Sequence, residues 1–418
     1  MKLSYDIIII GGGPAGLAAA VSAYDNGVKD VLVIERDERL GGILNQCIHN
    51  GFGLTRFGES LSGPEYAERY ADQVRERNID VITKTTVLSV GNDKKVTAIN
   101  SENGIFTLSA KAIILAMGCR ERSRGALNVA GSRPAGIYSA GTAQKYVNIK
   151  GFMPGKRVVI LGSGDIGLIM ARRMTLEGAK VLAVSEIMPY SSGLKRNIVQ
   201  CLDDFDIPLY LSHTITDIRG DDRVTGVTIS KVDENKKPIP GTEIDFECDT
   251  VLFSVGLIPE NELTKSAGIE LSPATKGAVV SQTRETDTEG IFACGNVLQV
   301  HDLVDFVSEE SAIAGRFAAE YVLNGKKQST YATVSAGKNI SYVCPQKIDL
   351  SVNEDLKLFF RVRNTFKKCT LVVKSGDEII LSKKKPIVLP GEMETLILKK
   401  ETLGSLGSGV EVYLEENV

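Results

Sequence analysis

The sequence has no two cysteines in C-x-x-C spacing and only three histidines. It also lacks any uninterrupted apolar run near the roughly 18 residues that a membrane helix needs. Its seven cysteines (Cys47, Cys119, Cys201, Cys248, Cys294, Cys344 and Cys369) are dispersed and odd in number. That pattern offers no zinc or iron–sulfur ligand set and reads as reduced thiols in a cytoplasmic protein. His49, His213 and His301 are few for a metal enzyme, so no metal is expected. Only four residues precede the first strand-like run, which leaves no room for a signal peptide. With 49 basic and 52 acidic residues well mixed, the net charge of −3 carries no nucleic-acid footprint. A length of 418 residues gives ample core for two to four domains.

What the chain does have begins at once. Asp6–Ile10 is a β-branched apolar run, read as a strand buried on both faces. It leads into Gly11-Gly12-Gly13-Pro14-Ala15-Gly16, a G-x-G-x-x-G turn, and an Ala-rich helix from about Leu17 to Asn26. A second strand, Val31–Ile34, ends in Glu35. This is a complete β-α-β dinucleotide fingerprint. Gly11 permits the tight turn, Gly13 lets the backbone approach a pyrophosphate, and Gly16 lets helix and strand pack closely. The helix N-terminus presents N–H groups and a positive dipole end to phosphates. Glu35 stands where a carboxylate accepts from ribose hydroxyls.

The fingerprint recurs. Arg157–Leu161 runs into Gly162-Ser163-Gly164-Asp165-Ile166-Gly167, a helix to Glu177, and a strand, Val181–Ser185, ending in Glu186. Gly11 to Gly162 and Glu35 to Glu186 are both offsets of 151. The closing run Ile114–Gly118 is echoed by Leu252–Gly256. Two dinucleotide domains are therefore expected in one chain. Glu186 disfavours a 2′-phosphate, which favours NAD over NADP unless Arg172 or Arg173 reaches that phosphate. A further glycine pair, Gly41-Gly42, suits an FAD site better than a simple NAD site. Asn45–Gly53 reads as a loop near the ring end of that ligand, and Pro64 sits in the first turn of a helix running to about Arg77. Thr286–Asn296 and a small-residue helix over about Val307–Val322 should return to the first domain. Beyond residue 333, strand-like runs at Leu356–Val362, Thr370–Val373, Glu378–Leu381, Leu396–Leu398 and Val410–Leu414, with a Pro390-Gly391 turn, predict a small antiparallel β-sandwich. It is either a stabilising appendix or a docking module.

The paired glycine motifs, Glu35 with Gly41-Gly42, and Phe292-Ala293-Cys294-Gly295-Asn296 resemble the two-dinucleotide-fold flavoproteins of the pyridine nucleotide–disulfide oxidoreductase superfamily. The likeness covers about residues 1–330, and its spacing is nearest the thioredoxin-reductase-like branch. Gly118–Arg122 and Gly162–Leu168 look like the oxidoreductase found with anaerobic-type glycerol-3-phosphate dehydrogenases. Opine oxidase and hydrogen cyanide synthase flavoprotein subunits look similar. The implied fold is α/β, with two Rossmann-like three-layer ββα/βαβ dinucleotide-binding domains and a C-terminal all-β sandwich. FAD would occupy a discontinuous domain, 1–122 and 259–332, NAD(H) the domain 123–258, and the sandwich would span 333–418.

The resemblance assigns to FAD Gly11, Gly13, Pro14, Ala15, Gly16, Glu35, Arg36, Gly42, Ile43, Leu44, Val87, Ala116, Gly118, Gly295, Asn296, Val307 and Ser308. It assigns to NAD(H) Gly162, Gly164, Asp165, Ile166, Gly167, Glu186 and Gly256. Two departures stand out. Gly136–Ala143, which matches the C-x-x-C stretch of thioredoxin reductases, has alanine at both cysteine positions, and Ile43–Asn50 holds only Cys47. A dithiol relay needs two sulfurs within reach, so neither familiar relay is available. Asn296 stands where the superfamily has an Asp on the ribityl chain.

Three candidate catalytic residues remain. Cys47, with a thiolate stabilised by His49, could form a mixed disulfide or sulfenate, or be a small loop residue beside FAD. His301 could handle protons of the reduced flavin, or bind substrate, or simply pack. The helix starting near Asp305–Ser308 should aim its N–H groups at the flavin pyrimidine edge. The expected function is hydride transfer between NAD(H) and FAD in the electron-transfer subunit of a multi-subunit dehydrogenase, in a glycerol-3-phosphate context, with oligomerisation expected. The alternatives are a self-sufficient reductase of coenzyme A disulfide, peroxide or oxygen using Cys47, an opine- or amine-oxidising flavoprotein subunit, and a nucleotide-binding scaffold without turnover.

Overall fold

The computed structural model describes residues 2–326, 328–404 and 406–417. The chain forms two compact units, one running through Cys119 and resuming at Pro259, the other spanning Arg120–Ile258. In the first unit, Ser4–Ile10 lies between Val31–Ile34 and the strand Gly104–Leu115, parallel to both. Ile7, Ile8 and Ile9 have no exposed surface, as a strand covered on both faces requires. Gly104–Leu115 is one 12-residue strand rather than a short closing run. Its first half pairs antiparallel with Lys95–Asn100, and its second half is parallel to Ser4–Ile10 on one side and Ile291–Ala293 on the other. The returning chain therefore adds a strand to the first sheet.

The first helix, Pro14–Asp25, is buried on several faces because it lies under a second helix, Val304–Asn324. A Cβ on Gly315 would fall 2.1 Å from the Ala19 carbonyl, so only glycine allows that approach. The helix Gly63–Glu76 starts at Ser62, whose hydroxyl and Glu65 form a complete capping box.

The second unit has a parallel five-stranded sheet in the order Ile137–Ser139, Thr250–Phe253, Arg157–Leu161, Lys180–Glu186 and Leu209–Leu211. An antiparallel sheet of three strands, His213–Arg219, Gly226–Lys231 and Ile244–Phe246, accompanies it.

The tail folds as two facing sheets. One holds Lys347–Asp349, Tyr331–Ala336, Gly409–Glu416, Phe366–Ser375 and Glu378–Val388; the other holds Ile340–Cys344, Leu356–Val362 and Glu394–Leu398. Leu358, Phe360, Leu371, Val373, Val412 and Leu414 fill the space between them. One feature departs from an all-antiparallel sandwich. Tyr331–Ala336 and Gly409–Glu416 run parallel, and the first of these strands, with Ile340–Cys344 and Lys347–Asp349, is too short and too mixed in polarity to announce itself in sequence.

Candidate functional site

Each glycine turn separates into positions the fold demands and one it does not. Gly11 has φ +110°, and a Cβ there would meet the Ala116 carbonyl at 2.4 Å. A Cβ on Gly16 would fall 1.8 Å from the Gly11 carbonyl. Gly13 is different. Its backbone is extended at φ −77°, and a Cβ would find nothing closer than the Gly42 Cα at 3.9 Å. The second unit repeats this division. Gly162 has φ +100° with the Ser254 carbonyl 2.0 Å from its would-be Cβ, and Gly167 meets the Gly162 carbonyl at 2.5 Å. Gly164, at φ −67°, meets only the Ser192 hydroxyl at 3.6 Å and the Ser254 hydroxyl at 3.9 Å. Nothing in the protein forbids a side chain at Gly13 or Gly164. Each leaves an open cradle of the kind that lets a pyrophosphate approach the backbone. Neither following helix has a side-chain cap, in contrast to the boxed Ser62 helix, so both N-termini remain available to phosphates.

The two acids are used alike. Glu35 Oε2 accepts from the Gly12 N–H at 2.7 Å, and Oε1 from the Asp37 N–H at 2.8 Å. Glu186 Oε2 accepts from the Ser163 N–H and hydroxyl at 2.9 and 2.7 Å, and Oε1 from the Met188 N–H at 2.9 Å. Each carboxylate pins its own glycine turn and keeps lone pairs able to accept further hydrogen bonds.

Around the first turn, Arg36 is exposed, Val87 is half-buried, and Ala116 and Val307 are buried. Ile43 is exposed while its neighbour Leu44 is buried. Gly42 takes φ +54°, and a Cβ there would fall 3.1 Å from the Gly13 Cα, so the second glycine pair lies close to the first turn. Gly118 and Gly256 both take positive φ with open space before them. The Ser308 hydroxyl is bonded to the Tyr66 hydroxyl at 2.7 Å. Pro14 and Ala15 of the first turn have their counterparts in Asp165 and Ile166 of the second. The Asp165 carboxylate accepts from the Leu194 N–H and from Asn197 Nδ2, which draws the segment after Glu186 onto the turn.

The candidate catalytic residues are placed less favourably for chemistry. Cys47 is half-buried, its Sγ 3.4 Å from the Ile43 carbonyl, and burial pushes its thiol up to about 12. A stabilised thiolate is therefore not what this loop provides. The His49 ring lies tilted against Phe52, with 5.0 Å between ring centroids. The His301 side chain has no exposed surface. Its Nδ1 lies 3.0 Å from the Gln299 carbonyl and its Nε2 3.4 Å from Glu310 Oε2, with the ring edge-on to Phe359 at 5.7 Å. Burial outweighs the Glu310 carboxylate and holds the imidazole below its ordinary pKa. His301 thus takes a packed position rather than one open to substrate.

Sequence reasoning missed the groups that hold the loop following Cys294. Glu310, fully buried, accepts from the Gly295 N–H at 3.1 Å and from Gln299 Nε2 at 2.9 Å, with the buried Arg284 Nε at 3.2 Å. Asn296 Oδ1 accepts from the His301 N–H at 3.0 Å, and its Nδ2 donates to Cys119 Sγ at 3.6 Å. Asp305 accepts three backbone N–H groups, from Gly53, Thr55 and Arg56, and so binds the Cys47 loop to the start of the Val304 helix. The one usable sequence signal was that Glu310 shares a helix face with Val307 and Ala314, whose spacing marks a buried stripe.

At the stretch matching the dithiol of thioredoxin reductases, Ala140 and Ala143 are fully buried, and the Glu121 carboxylate accepts from the Gly141 N–H at 2.8 Å. Among the described residues no cluster of three or more His, Cys, Asp or Glu could hold a metal ion. Nor, among them, is any helix long and apolar enough to cross a membrane.

The pyridine nucleotide-disulphide oxidoreductase family model matches residues 5–318. The chain belongs to that family. Its cofactors are FAD and NAD(P)H, and it is an FAD-dependent pyridine nucleotide oxidoreductase. Among curated relatives, hydrogen cyanide synthase subunit HcnB of Pseudomonas protegens is 25% identical over 348 residues, 77% of this chain and 71% of that protein. One of the opine oxidase subunits of Agrobacterium tumefaciens is 24% identical over 336 residues, 75% of this chain and 64% of that one, so the match spans less than two thirds of its length. Among solved structures, T. acidophilum thioredoxin reductase superposes with a TM-score of 0.64 at 25% identity, covering 77% of this chain and all of the other. The family resemblance read from the motifs thus holds.

Proposed function

We propose that this oxidoreductase takes NAD(H) at Gly162–Gly167 and Glu186 and FAD at Gly11–Gly16, Glu35, Gly42 and Gly295-Asn296. We further propose that it serves as the electron-transfer component of a multi-subunit dehydrogenase. The observation that carries the two-nucleotide assignment is the pair of open cradles at Gly13 and Gly164, each beside residues whose lack of a side chain the fold itself requires. When bound, FAD supplies the redox chemistry, accepting or returning a hydride from the nicotinamide. The protein's residues do the rest. Glycine turns and uncapped helix ends hold phosphates, the two glutamates orient ribose hydroxyls, and Gly295 with Asn296 shapes the flavin-side loop. Glu186, its charge fixed against the second turn, favours NAD(H) over the 2′-phosphorylated form.

The electron-transfer role is supported by the missing dithiol, by the neutral thiol at Cys47, and by two relatives whose names make them subunits. The glycerol-3-phosphate dehydrogenase context is supported by Gly118–Arg122 and Gly162–Leu168 through resemblance. A cytoplasmic location and an oligomer accompany that context. The self-sufficient reductase needs a Cys47 thiolate that burial opposes.

Anaerobic stopped-flow reduction of the bound flavin by NADH and by NADPH, chased with coenzyme A disulfide, peroxide or oxygen, tests the proposal. Fast bleaching by NADH without reoxidation by any of the three is the expected result. Prompt reoxidation by one of them would make the chain a complete reductase, and no bleaching would end the hydride mechanism.

A further inference from the structure

The C-terminal β domain reaches the segment that joins the Gly295-Asn296 turn to the flavin-side helix, and an arginine stands at the centre of that contact. Arg361, on the strand Leu356–Val362, donates Nη2 to the Val300 carbonyl at 3.2 Å and also to the Asp302 carboxylate. Its Nη1 donates to the Gly391 carbonyl at 2.6 Å within the β domain. The other Asp302 oxygen accepts from the Met393 N–H at 2.6 Å. A single guanidinium thus bridges two carbonyls and a carboxylate, a geometry its planar fork allows and an ammonium cannot copy.

Two neighbours on the same strand reinforce the contact. Phe359 packs edge-on against both His301 and Phe306, and Lys357 pairs with Glu309 at 2.8 Å. On the far side of the loop, Glu310 holds the Gly295 N–H and Gln299. The stretch from Gly295 to Asp305 is therefore gripped from both sides, by its own helix and by the tail. Surface ion pairs between separate parts of a chain contribute little, but here each partner is less than a quarter exposed, at 18% and 24%, and the pair is tied to backbone on both sides.

We propose that the C-terminal β domain is part of the flavin site and that Arg361 is a positioning residue, fixing the Gly295–Asp305 loop in the conformation that holds FAD. The role rests on the assignment of FAD to the first glycine turn and to Gly295-Asn296. It makes the tail neither a passive appendix nor solely a docking module.

The test uses the full-length holoprotein with Arg361→Ala, Arg361→Lys and Asp302→Asn. Lys374→Ala, which breaks the Lys374–Glu411 pair elsewhere in the β domain, serves as a control. FAD affinity is measured by reconstitution of the deflavinated protein, and the visible circular dichroism of bound flavin reports its environment. Arg361→Ala and Asp302→Asn should each weaken FAD binding about tenfold and change the flavin dichroism, while Lys374→Ala leaves both unchanged. Arg361→Lys should recover part of the affinity. Wild-type affinity and dichroism in both Arg361→Ala and Asp302→Asn would overturn the inference, as would equal losses in Lys374→Ala. Gly13→Ala separates the two levels. If that variant binds FAD normally, the site assignment itself fails and takes the inference with it.

Discussion

Gly12 donates its backbone N–H to Glu35 across 2.7 Å, and Ser163 donates to Glu186 in the same way 151 residues later. The bond ties the glycine turn to the end of the next strand, so the acid shapes the turn before any nucleotide arrives. The repetition of this arrangement makes the behaviour of the two turns comparable, residue for residue.

Gly13→Ala and Gly164→Ala fill the two cradles without touching protein atoms closer than ordinary contact. Each should weaken its own nucleotide at least about tenfold, equivalent to ~1.4 kcal/mol. The melting temperature of the FAD-free protein should stay within about 2 °C of the parent. Gly16→Ala should instead lower that melting temperature, because its Cβ would strike the Gly11 carbonyl. Isothermal titration with FAD and NADH, beside thermal melts, makes the comparison. Undiminished FAD affinity in Gly13→Ala would refute the cradle assignment.

Glu186→Gln keeps an acceptor for Ser163 while removing the charge. The ratio of kcat/KM for NADPH to that for NADH should rise by about tenfold as repulsion of the 2′-phosphate falls. Steady-state diaphorase assays with an artificial acceptor measure it. A ratio that does not move would place nucleotide selectivity elsewhere, with Arg172 or Arg173 the next residues to change.

Cys47 stays a thiol through the physiological range, because burial pushes it up to about 12. Cys47→Ala should leave NADH-dependent flavin reduction within about twofold of the parent, and the pH–rate profile from about 7 to 9 should show no inflection that the variant removes. Rapid alkylation of Cys47 by iodoacetamide at neutral pH, with loss of turnover, would restore the single-cysteine reductase.

His301 gives stability a pH dependence with a definite sign. Its pKa is lowered in the folded protein, so the unfolded chain takes up a proton that the buried ring refuses. This cost is absent above the ordinary histidine pKa of roughly 6.5 and grows as pH falls below it. Urea unfolding at about pH 7.5 and pH 5.5 should show the loss, and His301→Gln should reduce the difference. In the same network, Glu310→Leu leaves Arg284 buried without its carboxylate and should cost about 3–5 kcal/mol. A Glu310→Leu protein of parental stability would show that the pair is not an energetic anchor.

The sequence by itself determined the parts of this protein whose logic is local. A glycine forced to positive φ, a second forbidden a Cβ by the carbonyl of the first, and an acid closing the next strand are short-range requirements. The same spacing appeared twice, and the structure places both acids on their turns. The helices Gly63–Glu76 and Val304–Asn324 were legible for the same reason: their signals are contained within a few turns.

Only the tertiary structure decided what Glu310, Asp305 and Asp302 do. Asp305 meets Gly53 across 252 positions of sequence, and Asp302 meets Arg361 across 59. A carboxylate on a helix or loop looks the same in sequence whether it faces water or a buried arginine. The partner is chosen by packing, which no residue spacing encodes. His301 shows the same limit from the other side. Its loop position suggested proton handling, but the walls around it come from Phe359 of the tail and Glu310 of the helix, segments that only folding brings together.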